Sequence, residues 1–136
     1  MTGSATCDTS LLVPALAAWH PRHEEARDRL TSGVDAIPAH VLIECFSVLT
    51  RLPAPHRVTP AVAGEALSVL GLTLLTLPAT RHLALVRALG RAGLRGGAVY
   101  DAVVAATALH HRRRLLTVDQ RARATYDLIG VDYRFV

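Results

Sequence analysis

The sequence predicts an α/β fold, a three-layer α/β/α sandwich built on a mostly parallel sheet of four to five strands. Three observations carry this. Short apolar runs alternate with segments of helical period from one end of the chain to the other, the pattern of strand–helix–strand crossovers. Runs such as LTLLTL and LLTV are apolar on both faces rather than alternating, as strands covered by helices on each side require. A chain of 136 residues, just over half of them hydrophobic, suits one domain, 1–136, with a real core.

The elements follow in order. Residues 4–8, SATCD, read as a short strand ending at Asp8. Thr9 and Ser10 are N-cap types, and LLVPALAAW continues as a helix in which Pro14 is tolerated only near the first turn. A second helix fits residues 21–32, with Pro21 in its first turn and Gly33 just past its end. VDAIP is a short strand. Residues 39–52, AHVLIECFSVLTRL, place Val41, Cys45, Val48, Leu49 and Leu52 on one side of a helix that Pro53 and Pro55 stop. TPAVAGEALSVLG is another helix, with Thr59 as N-cap and Pro60 at its first position. LTLLTL, 72–77, is a buried strand. ATRHLALVRALGRAG is a helix stopping around Gly93, and AVYDAVVAATALHH is the next. LLTV is a strand, QRARATYDLIG a helix ending at Gly130, and VDYRFV a last strand.

Composition narrows the function classes. No apolar run approaches the ~18–20 residues of a membrane span, and the start, MTGSATCD, lacks the pattern of a secretory signal. Cys7 and Cys45 are too few for a disulfide framework, so a reducing, cytoplasmic setting is expected. All fifteen basic residues are arginine, and the net charge is +4. Part of that excess is compatible with codon bias. A positive balance also favours an anionic partner such as nucleic acid.

Four of the eleven acids stand in apolar contexts: Asp8, Glu44, Asp101 and Asp119. Each has a plain local account. Asp8 and Asp119 are turn or cap residues, Asp101 is a favourable charge in the first turn of its helix, and Glu44 pairs with an arginine or reaches solvent. Taken together they suggest more. Ligands of parallel sheets bind beyond the carboxyl ends of the strands, where Asp8 and Asp119 both fall. Clustered carboxylates repel unless a cation is present. An oxygen-only set suits Mg²⁺ or Mn²⁺ rather than zinc, and such ions serve phosphodiester hydrolysis. The arginines would then draw a phosphate backbone to an acidic pocket.

CDTSLLVPAL around Asp8, AHVLIECFSVLTRLP around Glu44, GGAVYDAVVAATA around Asp101 and LLTVDQRA around Asp119 resemble the four motifs of PIN-domain ribonucleases. More narrowly, they are similar to the VapC-type toxins of bacterial toxin–antitoxin pairs. The resemblance covers nearly the whole chain, and four motifs in order are specific where one would not be. It implies a PIN-like sandwich and an endoribonuclease that uses Mg²⁺ (or Mn²⁺) to activate water. Asp8, Asp101 and Asp119 become metal-binding acids, and Glu44 binds metal or assists proton transfer. Thr9 or Ser10, and Thr117, match hydroxyls that support the acids. The resemblance also implies a homodimer and inhibition by a cognate antitoxin. Gln120 and Arg121 follow Asp119 where a second acid would be usual, so one well-bound ion is expected without substrate.

Among other residues, His40 lies four before Glu44 on the same helix face. It is a candidate proton carrier or RNA contact, set against the plainer reading of a helix-start residue bonding backbone or solvent. Arg87, Arg91 and Arg95 recur at four-residue spacing before Gly96-Gly97, which would keep the approach to Asp101 open. They are candidate phosphate contacts, ahead of Arg112–Arg114. Tyr100 reads as a packing residue before a base-stacking one. His20 and His23 read as helix-start residues, and Cys7 and Cys45 as core. The segment 39–70 has more apolar surface than one sheet face needs, and is expected to bury a second copy or the antitoxin. The competing functions are a non-cleaving RNA-binding regulator of the same fold and a phosphate-transfer receiver domain. The receiver needs a lysine that the chain lacks.

Overall fold

The computed structural model describes residues 4–136. Five strands and seven helices alternate: β1 (Ala5–Cys7), α1 (Thr9–Leu16), α2 (His23–Gly33), β2 (Ala36–Pro38), α3 (Ala39–Thr50), α4 (Pro60–Ser68), β3 (Thr73–Leu75), α5 (His82–Ala92), α6 (Gly97–His110), β4 (Arg114–Thr117), α7 (Arg123–Ile129) and β5 (Tyr133–Phe135). All strand pairings among the described residues are parallel: β1 with β4, β4 with β5, and β2 with β3. One further parallel bridge, Ala5 to Val34, joins the two ladders. The strand order is therefore 3-2-1-4-5. The chain reverses direction across the sheet between β1 and β4, and their carboxyl ends form the switch point of the topology.

The core packs on both faces. Leu11 and Leu12 of α1, Ile37 of β2, Val41 and Cys45 of α3, Leu115 of β4 and Tyr126 of α7 have no exposed surface. Cys7 and Cys45 are free and buried, and burial pushes the Cys45 thiol up to about 12. Thr59 caps α4 by accepting from the Val62 N–H at 3.4 Å, and Gly93 ends α5 at φ +70°, a conformation glycine adopts without steric cost.

Three expectations shift. Helix α1 begins at Thr9, so Pro14 stands in its second turn rather than its first. Helix α6 begins at Gly97, which puts Asp101 beyond the first turn and removes the helix-dipole account of its charge. The edge strands are not apolar on both faces. Thr73 and Leu74 of β3 and Arg134 of β5 are exposed, because one side of each strand has no neighbour to cover it.

Candidate active site at the carboxyl edge

The four acids reach one edge of the sheet by different routes. Asp8 leaves β1 and enters α1: its N–H continues the ladder to Leu116 O at 3.2 Å, while its C=O accepts from Leu11 and Leu12 N–H. Asp119 follows β4, the neighbouring strand, and its carboxylate caps the turn ahead of α7 by accepting from Arg121 N–H at 3.0 Å. Glu44 projects from α3 and Asp101 from α6.

Asp8 is 5 % exposed, and both its oxygens are engaged. Oδ1 accepts from Ser10 Oγ at 2.5 Å and Oδ2 from the Tyr126 hydroxyl at 2.6 Å. Burial raises its carboxyl above the ordinary range, against the pull of the Ser10, Thr117 and Tyr126 hydroxyls. Burial and the Asp8 charge push the Tyr126 phenol up, so it remains a neutral donor.

A hydroxyl has one proton and two acceptor lone pairs, which fixes the rest of the arrangement. Ser10 donates to Asp8 and accepts from Val118 N–H at 2.9 Å. Its 3.1 Å contact with Thr117 Oγ1 then has Thr117 as donor, whose one proton is shared between Ser10 and the Asp8 carboxylate. Thr117 in turn accepts from Asp119 N–H at 3.1 Å. A directed chain of hydrogen bonds thus joins the ends of β4 and β1. On the opposite side Thr9 Oγ1 donates to Glu44 Oε1 at 2.5 Å.

Asp101 reports how the acids sense one another. Its carboxyl is pushed up to about 6, first by burial, then by the charges of Asp119, Asp8 and Glu44, with only Arg121 pulling it down. Arg121 lies 3.3 Å from Asp119 Oδ1 and its side chain is 93 % exposed, so solvent weakens its hold. The four sequence-predicted acids therefore share one electrostatic neighbourhood. They are not closed into a ligand set: among the described residues, no group of three or more His, Cys, Asp or Glu is arranged to hold a metal ion. The donor chemistry does fit a hard divalent cation, being all oxygen with its negative charge answered by one exposed guanidinium.

Thr9, Ser10 and Thr117 all stand in this network. His40 and Tyr100 stack beside it, rings 5.3 Å apart and 6° from parallel. Tyr100 packs on His40 as expected beside the pocket, yet it is 54 % exposed. Arg87, Arg91 and Arg95 are exposed on α5 and the loop after it. Arg113 and Arg114, by contrast, pair with Asp35 and Asp132 at the other end of the sheet. His20 and His23 bond backbone atoms near α2, as helix-start residues do. Sequence reasoning missed Tyr126, whose partner Asp8 lies 118 residues away. The available signal was a lone tyrosine on the buried face of the last helix.

The PIN domain family matches residues 5–128. The chain is 42 % identical over 130 residues to Ribonuclease VapC40 of Mycobacterium tuberculosis, covering 95 % of this chain and 96 % of that protein. It is 40 % identical over 126 residues to Ribonuclease VapC27 of the same organism, covering 91 % and 90 %. The crystal structure of VapC20, a sarcin-ricin loop cleaving toxin of M. tuberculosis, superposes with a TM-score of 0.69 at 20 % identity, over 89 % of this chain and 94 % of that one.

Proposed function

The chain belongs to the PIN-domain family, among its VapC-type ribonucleases, and from that premise we propose that it is a Mg²⁺- or Mn²⁺-dependent endoribonuclease toxin held in check by a cognate antitoxin. The observation that carries the metal reading is Asp101, a partly buried carboxylate raised to about 6, after burial itself, by three other acids. A protein gains nothing in stability from that repulsion, and a bound cation relieves it.

Asp8, Asp101 and Asp119 would hold the ion, with Glu44 as a fourth ligand or a proton acceptor. When bound, the ion lowers the pKa of water and stabilises charge on the phosphate and leaving oxygen. The protein's own part is orientation. Ser10 and Tyr126 fix the Asp8 carboxylate from both oxygens. Thr117 ties the Asp119 backbone to Ser10. Thr9 aims Glu44. Arg87, Arg91 and Arg95 stand exposed, without an acidic partner among the described residues, and are assigned to RNA phosphates. His40 is assigned to RNA as well. Cleavage by water leaves a 5′-phosphate and a 3′-hydroxyl.

No helix of the described residues is long and apolar enough to cross a membrane. Exposed Ile43 on α3, with Val62 and Val69 in and just after α4, offers apolar surface for a homodimer or the antitoxin.

The test is cleavage of RNA by purified protein freed of any antitoxin, in Mg²⁺ or Mn²⁺, with EDTA as control. Activity that persists in EDTA sinks the metal mechanism. Binding without cleavage across varied RNAs favours the regulator.

A further inference from the structure

The chain has few aromatic side chains, one Trp, three Tyr and two Phe, and water-exposed rings are fewer still. Tyr126 is fully buried, while Tyr100 is 54 % exposed. Tyr100 immediately precedes Asp101 in α6, and His40 stands one turn before Glu44 on α3. The two rings lie nearly parallel, 6° apart, with centroids 5.3 Å apart, the offset stacking that aromatic quadrupoles favour. His40 therefore backs Tyr100 on one side. The approach along the chain is bare: Gly96 and Gly97 precede the ring, and a Cβ at either position would meet nothing within 4 Å.

We propose that the His40–Tyr100 stack is a nucleobase subsite, on which a base of the single-stranded RNA next to the scissile phosphate stacks. This rests on the ribonuclease reading and adds what holds the substrate's base. An exposed ring is a platform for any base, since every base has a π-face. A second ring behind it sets the platform's orientation. The phosphate of the same nucleotide then falls toward Glu44, which shares a face of α3 with His40 one turn on. Recognition by unstacked bases on aromatic rings is how single-stranded RNA is commonly bound. The subsite thus favours loops and single strands over duplex.

The probe is an oligouridylate carrying one 2-aminopurine, moved position by position, bound to the full chain in Ca²⁺, with cleavage measured separately in Mn²⁺. One position is expected to lose fluorescence on binding. Tyr100→Ala removes that quenching and weakens binding about tenfold, the scale of one base–aromatic stack, whereas Tyr100→Phe keeps both. An abasic nucleotide at the same position costs wild type about as much and costs Tyr100→Ala nothing more. Wild-type quenching and affinity in Tyr100→Ala overturn the subsite, even if the protein cleaves RNA. If Tyr100→Ala instead releases a co-purifying protein while oligonucleotide binding is unchanged, the ring serves a protein surface and the subsite is equally overturned. Tyr100-dependent quenching without cleavage of any RNA in Mn²⁺ keeps the subsite and removes the nuclease reading.

Discussion

The two ends of the parallel sheet treat acidic residues in opposite ways. At the amino end, Asp35 just before β2 pairs with Arg113, and Asp132 just before β5 pairs with Arg114 at 2.9 Å. Each charge there is answered by a neighbour and by solvent. At the carboxyl end, Asp8, Glu44, Asp101 and Asp119 gather with hydroxyls for partners and one exposed arginine. The same residue type is a structural accessory at one end and unresolved charge at the other. The contrast teaches that an acid's chemistry is set by what is withheld from it: two arginines stand on the acids of the amino end, and the carboxyl end receives only the exposed Arg121.

The sharpest way to break this contrast is to remove an acid from each end. Asp8→Ala or Asp101→Ala should lower RNA cleavage by at least about a hundredfold, the scale of losing several kcal/mol of transition-state charge stabilisation. Circular dichroism should show both variants folded. Asp132→Ala should leave the rate unchanged. A loss as large in Asp132→Ala would erase the distinction between the two ends.

Metal should stabilise only through the carboxyl end. Mn²⁺ at about a hundred times its Kd should add about 2.7 kcal/mol, read as a rise in Tm that Asp101→Asn abolishes. An equal rise in Asp101→Asn would move the binding site elsewhere.

A smaller effect concerns pH. The folded pKa of Asp101 is raised to about 6, so its protonated form favours the native state. The associated stability is complete below the ordinary carboxylate range near pH 4 and is lost as pH rises through about 6. In metal-free protein at pH 7, Asp101→Asn should therefore be more stable than wild type, by about 1 kcal/mol once solvent screening is allowed for. The gain should vanish below about pH 4. Denaturant titrations at the two pH values in EDTA check the sign, and a destabilised Asp101→Asn at pH 7 would contradict it.

The smallest change is expected at the amino end. Breaking the Arg114–Asp132 pair, whose side chains are 44 % and 60 % exposed, should cost less than about 1 kcal/mol in a denaturant titration.

Much of the fold was legible because period and punctuation agree. Pro60 behind Thr59, Gly93 and Gly130 marked helix limits that hold. Glu44 announced itself by standing among apolar neighbours, and Asp8 and Asp119 by ending apolar runs. What stayed hidden was set by distance along the chain. Tyr126 meets Asp8 only because α7 folds back across the carboxyl edge, and no local pattern encodes that contact. Nor does local pattern say which strands are edges. Leu74 reads as core in LTLLTL, yet it is 48 % exposed because β3 has a neighbour on one side only. The shift of Asp101 needed its burial first and then the positions of three other acids, none of which a local pattern gives.

The chain of hydroxyls between β4 and β1 has a further consequence. Its far end is a backbone N–H, that of Asp119, which can give a hydrogen but never receive one. The arrow beyond it is set from the other end: Ser10 gives its single proton to Oδ1 of Asp8 and therefore receives from Thr117. A proton arriving at Oδ1 would turn the Ser10 hydrogen toward Thr117, which has a second lone pair to receive it beside the Asp119 N–H. The two hydroxyls thus act as a weathervane for the charge on Asp8, linking the acid at the end of β1 to the main chain beyond β4.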